Sequence, residues 1–114
     1  MPTLIVKTNA DLASIDRPKL LQTTSQAVAE MLGKPERYVM VILEHNPNMC
    51  FGGDTAPLAF LELKSLGLPE QRSAEYSATL CDLVQTHLGV DPDRVYIEFA
   101  SPPRHLFGFD GGTF

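Results

Sequence analysis

The chain has 114 residues, 44% of them hydrophobic and 20% charged, with a formal net charge of −5. That length gives a single domain, residues 1–114, with a core of its own but small enough to gain further burial from partners. The acidic balance and the lack of a Lys/Arg stripe argue against nucleic acid or an anionic membrane as partner, no run is apolar enough to span a bilayer, and the spacing of Cys50, Cys81, His45, His87 and His105 fits no metal site.

The first element is "TLIVKT", a strand preceded by Met1 and Pro2. Proline is tolerated at the start of a strand. It also bears on chemistry, because an initiator methionine is usually trimmed before so small a residue. Trimming leaves Pro2 with a free secondary amine. A helix is predicted from Arg17 to Leu32, with Asp16 as N-cap and Pro18 in its first turn. Leu20, Leu21, Thr24, Ala27, Val28, Met31 and Leu32 form its apolar face, and Gly33 and Pro35 stop it. "YVMVILE" and "LAFLELK" are the next two strands. A second helix is predicted from about Glu70 to Leu88, with Tyr76, Leu80, Leu83, Val84 and Leu88 on its apolar side and Gly89 at its end. "VYIEFA" is the last long strand, and the Phe- and Gly-rich tail reads as a short edge strand with turns. Cys50 and Cys81 are expected to be reduced, semi-buried thiols.

"LGKPERYVMVILE" resembles "LGVDPDRVYIEFA": Pro35 aligns with Pro92 and Arg37 with Arg94, 57 positions apart in a chain of 114. The chain therefore divides into related halves, about 2–56 and 57–114, each a βαβ unit. Each unit is expected to be a right-handed crossover with parallel strands. With a pseudo-twofold between the halves, the fold class is α+β, a four-stranded mixed sheet with both helices on one face. The strands read as apolar almost without alternation, the pattern of a sheet buried on both sides. Helices cover only one side, so an obligate homo-oligomer is expected.

This topology brings several residues to one sheet edge. Pro2 begins the first strand, and the "GKPE" loop entering the parallel second strand puts Lys34 beside it. The antiparallel third strand exits there through "KSLG", offering backbone N–H groups near Leu66. Tyr96, at the start of the fourth strand, lies at the opposite edge and joins such a site only from an adjacent subunit. Taken singly, Lys34 complements a helix C-terminus, Tyr96 is a core or interface aromatic, and Phe107, Phe109 and Phe114 anchor a tail. Together they have a chemical logic. A neighbouring lysine and apolar walls both disfavour a protonated Pro2, leaving a free base near neutral pH. Lys34 suits a substrate carboxylate, the backbone N–H groups an enolate oxygen, and the phenylalanines an aryl tail. Proton abstraction next to a carbonyl, keto–enol tautomerism, fits this set. Sequence alone does not locate Arg37, Arg72 or Arg104 relative to that edge.

The stretches "MPTLIVKTN", "GKPERYVMV", "CFGGDTAP", "SLG", "PDRVYIEF" and "GTF" resemble, in order and over the whole length, the macrophage migration inhibitory factor family of the tautomerase superfamily. The resemblance implies a cofactor-free homotrimer with sites at subunit interfaces. It implies Pro2 as catalytic base, Lys34 and Leu66 as substrate-binding groups, Tyr96 from a neighbouring subunit, and an apolar wall of Phe107, Phe109 and Phe114. It further implies a small aromatic 2-oxo acid such as phenylpyruvate as substrate, no metal, and a cytoplasmic protein for which leaderless secretion is open. The alternative it carries is a cytokine or receptor-binding protein with a weak or vestigial site. A third possibility is hydration or decarboxylation of small acids by the same proline, which needs arginines or an extra acid in the pocket. Departures matter too. Glu98 stands where many relatives have asparagine, and would repel an anionic substrate or raise the Pro2 pKa. Leu58-Ala59-Phe60-Leu61 replaces a Cys-x-x-Cys, which argues against thiol–disulfide chemistry. Phe109 takes the place of a common tryptophan.

Overall fold

The computed structural model describes residues 1–114. Its main elements are β1 (Thr3–Thr8), α1 (Arg17–Leu32), β2 (Met40–His45), β3 (Ala59–Lys64), α2 (Ser73–Leu88) and β4 (Val95–Ala100), followed by a hairpin of β5 (Gly108–Phe109) and β6 (Gly112–Thr113). The sheet order is β2-β1-β3-β4, with β1/β2 and β3/β4 parallel and β1/β3 antiparallel. This is the paired βαβ arrangement that the repeat predicts.

Local chemistry accounts for the helix ends. The Asp16 carboxylate accepts from the Lys19 N–H at 3.1 Å, satisfying one of the orphan donors of the first turn. Gly33 closes α1 in the left-handed region at φ +63°, and the Lys34 N–H reaches back to the Ala29 carbonyl at 3.0 Å. Four boundaries differ from expectation, one of them the end of β2, which runs one residue further to His45. Tyr38 belongs to a 3-10 turn, Glu36–Tyr38, so β2 starts at Met40, and β3 starts at Ala59 after Leu58. The second helix starts at Ser73 because Glu70–Arg72 form a separate 3-10 turn after Pro69. A single 3-10 turn uses the same residues as a first α turn, so composition does not separate the two.

Leu4, Val6, Leu61 and Leu63 of the sheet pack under Val28 of α1 and Tyr76, Leu80 and Val84 of α2, all buried. The strands alternate more than their apolar content implies: β1 and β3 bury every second residue beneath the helices. By register, the other face carries Ile42, Ile5, Glu62 and Glu98 in one row and Glu44, Lys7, Phe60 and Tyr96 in the next. That face is thus a mixed apolar and charged surface, correcting the expectation of uniformly apolar strands. Cys50 is exposed rather than semi-buried, while Cys81 is partly covered.

The loop joining the halves is held by two side chains: Asn9 donates Nδ2 to the Thr55 carbonyl and accepts at Oδ1 from the Leu58 N–H, both at 2.8 Å, and Arg94 makes the larger set. Arg94 donates to the carbonyls of Phe51 at 2.8 Å, Asp54 at 2.9 Å, Ala56 at 2.9 Å and Pro57 at 3.4 Å. Gly52 and Gly53, both at positive φ, make the tight Phe51–Asp54 turn that presents those carbonyls.

Candidate active site

Pro2 is buried, and its carbonyl accepts from the Met40 N–H at 2.9 Å, extending the β1/β2 ladder and fixing the start of the chain. Lys34 follows the C-cap of α1, and its backbone bond to Ala29 sets where its side chain begins. Beyond β3, the Ser65 N–H bonds the Ala100 carbonyl at 3.0 Å and the Leu68 N–H bonds the Ser101 hydroxyl at 3.2 Å. Between them the chain turns through Gly67 at φ +62°. The N–H groups of Leu66 and Gly67 have no acceptor within the chain. After Pro102-Pro103 a 3-10 turn, Arg104–Leu106, brings Arg104 to the tail, where its Nε donates to the main-chain oxygen of Phe114, the last residue, at 3.2 Å.

Met1, Lys34, Pro35, Tyr38, Leu66, Gly67, Arg104 and Phe114 line one cavity of about 360 Å³. Its apolar wall is an aromatic cluster. Phe114 stacks on Phe109 at 5.2 Å and lies 5.9 Å from Phe107, while Tyr38 meets Phe109 edge-on at 5.6 Å and Phe114 at 6.5 Å. The terminal amine, carried by Met1, opens into this space. Its pKa is held below the ordinary 8.0, first by burial, which disfavours the charged form, then by the positive charges of Lys34 and Arg104.

Of the residues singled out from the sequence, Lys34, Leu66, Phe114 and the chain start converge in one cavity. Phe107 and Phe109 sit behind Phe114. Tyr96 and Glu98 do not join them within one chain. Tyr96 is 66% exposed and packs on Phe51 at 4.7 Å, beside Met49, Cys50 and Phe60. Glu98 is exposed on the open face, next to Glu62 in register. Pro35, Tyr38, Gly67 and Arg104 are the lining residues that sequence reasoning missed. In sequence Tyr38 reads as the first residue of a strand, and its place in the 3-10 turn ahead of β2 has no local signal. Arg104 had none, since its position depends on the tail folding back. Arg37 instead stacks over the Tyr38 ring at 4.7 Å, and Arg72 pairs with Glu75 at 3.0 Å.

Two inverted βαβ units forming one mixed sheet, with the chain start opening into a pocket at its edge, constitute the tautomerase superfamily fold. The chain belongs to the macrophage migration inhibitory factor family: the family profile described as "Macrophage migration inhibitory factor (MIF)" matches residues 1–114. The chain is 36% identical to macrophage migration inhibitory factor of Rattus norvegicus over 115 residues, covering 100% of this chain and 99% of that protein. It is also 36% identical to the Trichuris trichiura homolog, with both chains covered in full at 100%. Among solved structures, the homologue from Prochlorococcus marinus superposes with a TM-score of 0.91 at 39% identity, covering 98% of each chain. The Trichinella spiralis protein does so with a TM-score of 0.92 at 34% identity, covering 98% of this chain and 99% of that one. No helix is long and apolar enough to cross a membrane.

Proposed function

We propose that this protein is a cofactor-independent keto–enol tautomerase of small aromatic 2-oxo acids, acting through Pro2 once Met1 is removed. The observation that carries this is the amine: it opens into a cavity lined by Lys34 and Arg104, and its pKa is depressed by burial and by those two cations. Removing Met1 transfers the amine to the nitrogen of Pro2, a residue already buried. Burial and the same two cations would act on that nitrogen in the same direction, toward the neutral base.

In the enolising direction, the Pro2 nitrogen takes a proton from the carbon next to the 2-oxo group. The C–H electron pair becomes the new C=C bond, and the carbonyl pair moves onto oxygen. The Leu66 N–H, free within the chain, hydrogen-bonds that oxygen as its charge develops. Pyrrolidinium then returns the proton to the oxygen, giving the enol. Lys34 pairs with the substrate carboxylate, and Phe114 and Tyr38, backed by Phe109 and Phe107, receive the aryl ring. We infer a homotrimer in which Tyr96 and Glu98 of one subunit border the pocket of the next. Their position at the sheet edge opposite Pro2 supports this.

The test is ketonisation of enol-phenylpyruvate by Met1-free protein against Pro2→Gly. A drop of about 100-fold or more, the usual worth of a positioned base, is expected; equal rates overturn the proposal. Family membership also supports a cytokine-like function, and the names of the relatives carry that possibility. Receptor binding that survives Pro2→Gly, in protein without measurable turnover, would favour it.

A further inference from the structure

Each half of the repeat carries an arginine in the 3-10 turn before its last strand, Arg37 in Glu36–Tyr38 and Arg94 in Pro92–Arg94. Each guanidinium lies over an aromatic ring, Arg37 over Tyr38 at 4.7 Å and Arg94 over Phe51 at 5.3 Å. Each of those rings packs on a further one: Phe51 on Tyr96 at 4.7 Å, and Tyr38 edge-on to Phe109 at 5.6 Å. The two arginines then part. Arg94 directs Nε, Nη1 and Nη2 at four loop carbonyls, a structural task that accounts for it. Arg37 is exposed, and its guanidinium has no hydrogen-bond or ion-pair partner in the chain; the Tyr38 ring is the partner the fold gives it. Tyr38 lines the cavity and meets Phe114, another lining residue, edge-on at 6.5 Å. The cations acting on the terminal amine are Lys34 and Arg104, so Arg37 does not act on the base. A cation is held best over the face of a ring, so the Arg37 guanidinium favours the one orientation of Tyr38 that stands edge-on to the tail phenylalanines.

We propose that Arg37 is a positioning residue for the aryl part of this pocket: stacked on Tyr38, it holds that ring in the orientation that receives a planar aromatic group, and so favours aryl ligands over saturated ones of the same size. Aromatic pairs depend on mutual orientation, whereas a cyclohexyl group packs against an apolar wall by area alone. Arg37 acts through Tyr38 and not by contact with the substrate carboxylate or with Pro2. The choice of aryl carboxylates as ligands rests on the tautomerase proposal, while the ring selectivity is measurable without turnover.

The experiment reads a ratio of dissociation constants. 3-Phenylpropanoate and 3-cyclohexylpropanoate share the skeletons of phenylpyruvate and its cyclohexyl counterpart but have no 2-oxo group, so neither turns over. Binding of both to Met1-free protein is measured by calorimetry, and ketonisation of the two corresponding enols is measured beside it. Arg37 is exposed, so its substitution leaves the core untouched. Arg37→Ala is expected to shift the ratio about 2- to 5-fold toward the cyclohexyl ligand, corresponding to an exposed cation–π contact. It should also raise KM for enol-phenylpyruvate with little change in kcat. Arg37→Lys, which keeps a cation for the ring face, is expected to retain part of the selectivity. Tyr38→Leu should shift the ratio by itself and leave Arg37→Ala without further effect, whereas in Tyr38→Phe the effect of Arg37→Ala persists. An unchanged ratio in Arg37→Ala overturns the proposal. So does equal weakening of both ligands, which would make Arg37 a general attractor of anions. A smaller assembly of Arg37→Ala by size-exclusion chromatography also overturns it, because Arg37 would then belong to a subunit interface. A shifted ratio without turnover of either enol sustains this inference while ending the tautomerase proposal; turnover with an unchanged ratio does the reverse.

Discussion

Arg94→Ala removes the side chain that makes most of the hydrogen bonds to the loop between the two halves, leaving those of Asn9 to Thr55 and Leu58. Four carbonyls lose a charged donor: Phe51, partly buried, at 2.8 Å, and Asp54, Ala56 and Pro57, exposed, at 2.9, 2.9 and 3.4 Å. The exposed carbonyls rehydrate, so each contact is worth about 0.5 kcal/mol, and the part-buried one about 1.5 kcal/mol. The guanidinium also lies over the Phe51 ring at 5.3 Å, a contribution of about 0.5 kcal/mol at such a site. Together these come to about 3.5 kcal/mol. For 114 residues, an unfolding entropy of about 2.1 cal/mol/K per residue makes each kcal/mol worth about 4 °C, so Tm falls by about 14 °C. The assay is thermal unfolding followed by circular dichroism at one fixed protein concentration, since an oligomer's Tm depends on concentration. Phe51 is also the surface on which Tyr96 rests. The loosened loop is therefore expected to lower kcat/KM at temperatures where the variant is fully folded. A Tm shift under about 3 °C would refute the reasoning, showing that the carbonyls find water as readily as Arg94.

Further outcomes follow from the same geometry. Leu61→Ala, at a wholly buried position in the central strand β3, is expected to cost about 2–5 kcal/mol, read as a shift of the urea midpoint at unchanged slope. A lowered amine pKa means that the unfolded chain binds this proton more readily than the folded one. Activity of the Met1-free chain should rise with pH as the Pro2 amine loses its proton, and Lys34→Ala, by removing one depressing charge, should move that limb to higher pH while raising KM. The same linkage makes stability rise with pH between the folded and unfolded values of this amine, measurable by urea titration across that window. Co-expressing Pro2→Gly with Tyr96→Ala should regenerate activity in about a quarter of the sites of a randomly mixed trimer, since each site would draw Pro2 and Tyr96 from different chains. Activity no higher than the sum of the separate variants would contradict shared sites.

Much of the fold was legible because its signals are local. β1, α1 and β4 have the bounds that their residues predict, since Asp16, Pro18 and Gly33 act on neighbouring backbone groups and the apolar spacing of α1 is helical. The repeat made the strand directions legible, two parallel pairs running antiparallel in one sheet, while the meeting of β1 with β3 at the centre came from the structure. The 3-10 turns at Glu36–Tyr38 and Glu70–Arg72 were not, as they are single turns decided by the strand or helix that follows. The charged residues of the open face were masked by the buried residues alternating with them: Lys7 sits between Val6 and Thr8, and Glu62 between Leu61 and Leu63. In the site, Lys34 and Leu66 followed from strand direction alone. Arg104 did not, because it reaches the pocket through a Pro-Pro segment, a 3-10 turn and a hydrogen bond to the last residue.

The most direct measurement is the rate of enol-phenylpyruvate ketonisation by two preparations of the same chain, one processed to begin at Pro2 and one retaining Met1, each verified by intact mass. Turnover confined to the processed chain is the predicted result. Equal rates from both, or none from either, would contradict a catalytic imino group at the head of β1.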